Sequence, residues 1–285
     1  MQESREKAYA KINLTLDVTG RRADGYHLVK MVMQTVTLWD WVAVKLTKIP
    51  GIRLTINLPF LPTDERNLAF QAAKLFLQEI GQSEQGVEIA IEKHIPVAAG
   101  LAGGSTNAAA VLRQLNDLTE AHLLKEKLEE IALQLGADVP YCLWGGTRLA
   151  EGIGEKLSPL PDMMPCFVVL CKPPFSVSTA AVYQKIDERK LNHRPDTAGL
   201  CRALAEKDYN GVVHRLYNVM EEITGAAHPE IKEIRDVLLE VGADGAVMSG
   251  SGPTVYGLFR QKAAAEKAEQ MLKAQYTDVF LAEIL

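Results

Sequence analysis

The sequence predicts an α+β protein in two domains, residues 1–157 and 158–285. Three observations predict it. Strand-like alternation and helix-like stripes are interleaved along the whole chain. A turn-rich run, Ser158-Pro-Leu-Pro-Asp162, interrupts them near the middle. The chain has 285 residues, 47% of them hydrophobic and 24% charged, which is enough to bury a sizeable core.

The elements follow in order. Ala8, Ala10, Ile12, Leu14, Leu16 and Val18 alternate with Tyr9, Lys11, Asn13, Thr15 and Asp17, the period of a half-buried strand. Strand patterns recur near 32–46, 52–58 and 87–92. Leu68, Ala72, Leu75 and Phe76 form a helical stripe, Ala108, Val111, Leu112 and Leu115 a second, and Leu124, Leu128, Ile131 and Leu135 a third that stops at Gly136. The second half opens on the apolar strand 166–171. Helical patterns follow near 199–222 and 229–241, then strands near 245–249 and 254–259, a helix near 262–274 and a strand near 278–283.

Composition excludes several classes. A net charge of −5 argues against a general nucleic-acid or acidic-membrane binder. The N-terminus is too polar for a signal peptide, and the longest apolar stretch, Met163 to Cys171, is short and broken by Pro165. A cytoplasmic protein, without membrane or nucleic-acid partners, is the expectation. Cys142, Cys166, Cys171 and Cys201 lack CxxC spacing and read as reduced thiols. His94, His122, His193, His214 and His228 are scattered without ligand spacing, so no structural metal is expected.

The strongest chemical signal is the run Pro96-Val-Ala98-Ala99-Gly100-Leu101-Ala102-Gly103-Gly104-Ser105-Thr106-Asn107, followed at once by a helix. Glycines let backbone N–H groups approach a phosphate closely, and a helix start adds unpaired N–H groups and a positive dipole end. Ser105 and Thr106 add hydroxyls for phosphate or magnesium. A glycine-rich turn capped by Ser105 or Thr106 would use the same residues without a ligand. The run has no Walker A lysine and no Rossmann GxGxxG spacing. A second glycine run, Ser249-Gly250-Ser251-Gly252-Pro253-Thr254, lies between two apolar strands; alone it reads as a hairpin turn.

Ala10-Lys11-Ile12-Asn13-Leu14, the 96–107 loop and the 246–254 loop resemble, in order, the three motifs of the GHMP small-molecule kinases. The resemblance spans nearly the whole chain. It implies a ribosomal protein S5 domain 2-like N-terminal domain, a ferredoxin-like C-terminal domain, and transfer of the γ-phosphoryl of ATP, brought with Mg2+, to an alcohol. Arg21-Arg22-Ala-Asp24-Gly25-Tyr26-His27, Met33-Gln34 and Gly136-Ala-Asp138-Val-Pro140 resemble the branch whose small-molecule acceptor carries a cytidine diphosphate group. Homoserine- or mevalonate-type kinases are the alternative within the family, and a non-catalytic nucleotide-binding regulator the alternative outside it.

The resemblance assigns Asp138 as catalytic base, with Lys11 pairing to it; from the residues alone, Asp138 also reads as the start of a helical turn and Lys11 as a solvated strand residue. Asn13 would bond near the acceptor. Tyr26 would stack on cytosine, His27 would hydrogen-bond it, and Tyr183 would complete the sandwich. Asn67, Leu68 and Lys93 match positions around adenine, although a helix cap and a strand-end lysine explain them too. Gly250, Ser251 and Gly252 would form the second phosphate-side loop. Ala102 stands where the family often has glycine, and Thr106 where it has serine. Asn218-Val219 departs from a usual Asn-Asp and receives no role. The oligomer is expected to be a monomer or weak homodimer.

Overall fold

A computed structural model describes residues 2–189, 191 and 193–285. Along the chain the elements are β1 (Glu3–Arg21), β2 (His27–Thr47), β3 (Ile52–Ile56), α1 (Leu68–Glu79), β4 (Gly86–Glu92), α2 (Gly103–Leu118), α3 (Lys125–Leu135), α4 (Val139–Trp144), β5 (Thr147–Glu151), β6 (Lys156–Pro159) and β7 (Phe167–Lys172). Then come α5 (Thr179–Asp187), α6 (Thr197–Ala205), α7 (Tyr209–Val213), β8 (Tyr217–Asn218), α8 (Val219–Ala227), α9 (Glu230–Glu240), β9 (Gly245–Met248), β10 (Val255–Phe259), α10 (Lys262–Lys273) and β11 (Asp278–Glu283). Two compact units interleave along this order, because β1 and β2 each contribute residues to both.

The first unit comprises the N-terminal residues to Ala10, Trp39–Val97 and Ala102–Trp144. The second half of β2 pairs antiparallel with β4, from Trp41↔Glu92 to Thr47↔Gly86. β3 joins β4 in parallel, which requires the crossover that α1 supplies. Val42, Val44, Ile89, Phe76, Leu112 and Leu115 are buried in this unit's core, where α2 packs on α1, α3 and α4.

The second unit comprises Lys11–Leu38, Ala98–Leu101 and Gly145–Leu285. Met31–Gln34 of β2 pair with β5, and Thr15 and Leu16 of β1 with β8. A separate antiparallel sheet has the order β11-β7-β10-β9. Numbered within that sheet the order is 4-1-3-2, with helices before the second and fourth strands, which is the ferredoxin-like arrangement. Val169, Leu170, Tyr256, Leu258, Leu238 and Leu272 fill its core.

Three local outcomes differ from the sequence pattern. Helix α2 begins at Gly103 rather than at Ala108, so the second half of the glycine run is already helical. The pattern over 199–222 divides into α6, α7, β8 and α8, because Asp196, Asp208 and Asn218 each cap a fresh start through a side-chain oxygen that accepts a backbone N–H. The short elements β5, β6, α4 and α5 were below the reach of periodicity. Among the described residues, no helix is long and apolar enough to cross a membrane.

Candidate active site

In the second unit the polar side of β1 is enclosed rather than solvated. Lys11 is 4% exposed and Asn13 and Thr15 are fully buried. Burying an ammonium requires partners. Lys11 Nζ donates to Asn13 Oδ1 at 2.8 Å and to the Gly100 carbonyl at 2.9 Å. Asn13 Nδ2 faces Met31 Sδ at 3.2 Å, and the Asn13 carbonyl accepts from the Tyr256 hydroxyl at 2.9 Å.

The two glycine runs meet at this lysine. Ser249 Oγ donates to the Gly100 carbonyl at 3.0 Å. Gly100 has φ +76°, and a Cβ there would lie 2.3 Å from the Ser249 carbonyl oxygen, so both backbone conformation and closeness require glycine. A Cβ on Gly250 would lie 3.5 Å from Lys11 Nζ. The arrangement sets one fixed ammonium beside two loops of closely approachable backbone, which suits a group with spreading negative charge.

Asn218, for which no role was expected, holds the second loop in place. Its Nδ2 donates to the Met248 and Gly250 carbonyls, each at 2.8 Å, while its Oδ1 caps α8. Thr224 Oγ1 donates to the Ser251 carbonyl at 3.1 Å. Nothing local announced it, because Asn218 lies inside the helical pattern expected over 199–222.

The first unit carries the start of α2. Its cap, Ala102, is left-handed with φ 57° and offers no capping side chain, so neither Ser105 nor Thr106 is the cap. Thr106 is buried, Ser105 half-buried and Gly104 exposed. Alanine at 98, like Ala102, adopts a left-handed φ that alanine enters only at a cost of about 1–2 kcal/mol.

Lys93 is not a solvated strand end. Its side chain is 6% exposed, donating to Asp40 Oδ2 and, at 3.1 Å, to Asn107 Oδ1. Asp40 is wholly buried; besides Lys93 it accepts from the backbone N–H groups of His94 (2.7 Å) and Ile95 (2.8 Å) and from Asn107 Nδ2 (2.8 Å). Burial pushes the Lys93 ammonium below its usual pKa, and Asp40 opposes that shift. Lys93 Nζ lies 3.0 Å from where a Gly103 Cβ would stand, and Leu68 Cδ1 3.7 Å from that of Gly104. Asn67 caps α1, accepting from Ala69 N at 2.9 Å and donating to the Pro62 carbonyl at 2.9 Å. Asp40 and Asn107 were missed as site residues. The signal was an acid in the inward phase of β2, in register with Val42 and Val44.

Asp138 also belongs to the first unit. It is half-buried, directly precedes α4, and its carbonyl accepts from Cys142 N at 3.1 Å, with Pro140 in the first turn.

At the far end of β1 and β2, Tyr26 is 61% exposed on a turn in which its N–H donates to Asp24 Oδ1 at 3.3 Å. His27 is enclosed by α5. Tyr183 stacks on its ring at 4.3 Å and 11°, and Asp187 Oδ1 lies 2.8 Å from Nε2. Among the described residues, no group of three or more His, Cys, Asp or Glu is placed to hold a metal ion.

These two sets of residues stand on a fold and a loop pair that define a class. Residues 67–146 match the GHMP kinase N-terminal domain and residues 192–278 the GHMP kinase C-terminal domain, and the chain belongs to the GHMP kinase family. Within it, the chain is 47% identical to a 4-diphosphocytidyl-2-C-methyl-D-erythritol kinase of Clostridium botulinum, over 96% of this chain and 98% of that one. It is 47% identical to the kinase of the same name from Geobacillus kaustophilus, over 98% and 96%. A crystal structure of 4-(cytidine 5'-diphospho)-2C-methyl-D-erythritol kinase matches at TM-score 0.83 and 33% identity, over 99% of both chains. A homoserine kinase from Cytophaga hutchinsonii matches at TM-score 0.78 but 20% identity, which speaks for the fold alone.

Proposed function

We propose that this kinase transfers the γ-phosphoryl of ATP to the 2-hydroxyl of 4-diphosphocytidyl-2-C-methyl-D-erythritol, a step toward isoprenoid precursors. The observation that carries the chemistry is the buried Lys11 ammonium held between the Gly100 and Gly250 loops. The acceptor follows from the full-length likeness to kinases of that name, and the Tyr26-His27 pair is consistent with it.

Phosphoryl transfer asks a protein for position and charge compensation more than for covalent chemistry. In this reading the N–H groups opening α2 and the two glycine loops hold the phosphates. Lys11 offsets charge as the phosphoryl moves, and Asp138 orients the acceptor hydroxyl and takes its proton. Asn13 fixes Lys11. Lys93, Leu68 and Asn67 border the nucleotide, and Tyr26 stacks on the cytosine while His27 bonds its edge. Magnesium enters as part of the nucleotide substrate, held by phosphate oxygens and water.

The test offers the purified protein ATP, magnesium and the cytidyl acceptor, with homoserine and mevalonate in parallel, and follows ADP release. Turnover of the cytidyl acceptor alone is expected. Asp138→Asn should lower kcat by about 10²-fold or more, and Tyr26→Ala should act mainly on the acceptor KM. Turnover of homoserine or mevalonate instead would overturn the cytosine reading. ATP binding without turnover of any acceptor would favour a regulator.

A further inference from the structure

Helix α5 presents two side chains to His27. Tyr183 covers one face of the imidazole, and Asp187, four residues on and so on the same side of the helix, reaches Nε2 at 2.8 Å. The other Asp187 oxygen accepts from Arg21 Nη1 at 3.1 Å. The opposite end of the helix is also tied down. Ser178 caps it, and Thr179 Oγ1 lies 2.7 Å from Ser251 Oγ in the second glycine loop. The position of Asp187 is therefore set from both ends of α5.

An imidazole offers its second nitrogen in the role that the partner of the first dictates. An ionised carboxylate only accepts, so the nitrogen facing Asp187 carries hydrogen. With hydrogen on Nε2 alone, Nδ1 holds a lone pair and accepts. Cytosine and uracil differ at this edge: cytosine carries an exocyclic amine donor where uracil carries a carbonyl acceptor. A fixed acceptor pairs with the amine and sets two lone pairs against each other when the base is uracil.

We propose that Asp187 is the positioning residue that makes the acceptor site select cytosine over uracil, by holding His27 as the Nε2–H tautomer with Nδ1 as acceptor. This rests on the reading of a cytidine-bearing acceptor given above. It gives α5 a role in base discrimination as well as in covering His27.

The experiment compares the cytidyl acceptor with its uridyl counterpart at saturating ATP, in the native protein, Asp187→Asn and Asp187→Ala. An asparagine at 187 can donate or accept, so it supports either tautomer; alanine supports neither. In both variants the cytidyl-to-uridyl ratio of kcat/KM should fall by about tenfold or more, with the KM for ATP unchanged. In a His27→Ala background, Asp187→Asn should alter the ratio no further. An unchanged ratio, or an equal loss on both acceptors, would overturn the proposal. If the native protein turns over neither acceptor, the cytidine reading itself fails, and this shows before any variant is made. Should the variants not fold, nitrogen NMR of the native imidazole decides: hydrogen on Nε2 alone supports the proposal, and hydrogen on Nδ1 overturns it.

Discussion

Asp40 in the first unit and Asp187 in the second each fix a nitrogen-bearing side chain, Lys93 and His27 respectively. Asp40 is fully enclosed and accepts from four donors, two of them backbone groups. Asp187 keeps 33% of its side chain exposed and, among the described residues, meets His27 and Arg21. Enclosure makes the first carboxylate part of the frame that places the start of α2. Exposure leaves the second able to tune a neighbour without holding up the fold.

The largest expected effect tests that division. Asp40→Ala leaves a buried ammonium and two backbone N–H groups without their acceptor and should cost about 3–5 kcal/mol. Asp187→Ala, at a water-exposed pair, should cost no more than about 1 kcal/mol. Urea unfolding measures both, and similar values for the two would break the comparison. Adding Lys93→Met to Asp40→Ala should recover only the part due to the ammonium, because the His94 and Ile95 N–H groups remain unmatched.

The glycines sharpen the contrast between frame and surface. Gly51 and Gly100 both have positive φ, but a Cβ on Gly51 meets nothing within 4 Å while one on Gly100 meets the Ser249 carbonyl. Gly51→Ala should cost about 1 kcal/mol from backbone strain alone. Gly100→Ala should cost about 2–3 kcal/mol and also lower kcat/KM, because the loops beside Lys11 must part. Equal stability losses would mean that the close approach of the two loops contributes nothing.

These cases also show what the sequence made legible. The alternation of β1 placed Lys11 and Asn13 on one face, and the glycine runs announced two loops needing close backbone approach. It could not tell a solvated polar face from an enclosed one, since that depends on Tyr256 and Met31, far away in the chain. Asp40 was visible as an acid in an apolar phase, but its four donors come from residues 93–107 and carry no local mark. Helix α5 has only nine residues with two buried, Val182 and Ile186, too few for a readable stripe.

Asn218→Ala comes next in size. Removing the amide leaves the Met248 and Gly250 carbonyls without their donor and α8 without its cap, for about 2 kcal/mol. Because the second loop borders Lys11, kcat should fall as well. Asn218→Asp keeps the cap oxygen but not the two donations, so it should restore stability in part and kcat hardly at all. Full recovery of kcat by aspartate would show that the cap alone matters.

The smallest effect concerns Glu6, whose exposure of 30% is close to that of Asp187. It accepts from Arg113 Nη2 at 2.6 Å. Burial raises its pKa above the ordinary 4.5, and Arg113 pulls the other way without cancelling the shift. The folded chain therefore holds this proton to a higher pH than the unfolded chain does. Glu6 contributes most to stability below pH 4.5, and that contribution is lost as pH rises through the raised value. Glu6→Gln keeps an acceptor for Arg113 and removes the titration, so the stability profile across that window should flatten relative to the native protein. Chemical denaturation at a series of pH values reads the difference directly; an identical slope in the two proteins would show that desolvation of Glu6 is matched in full by Arg113.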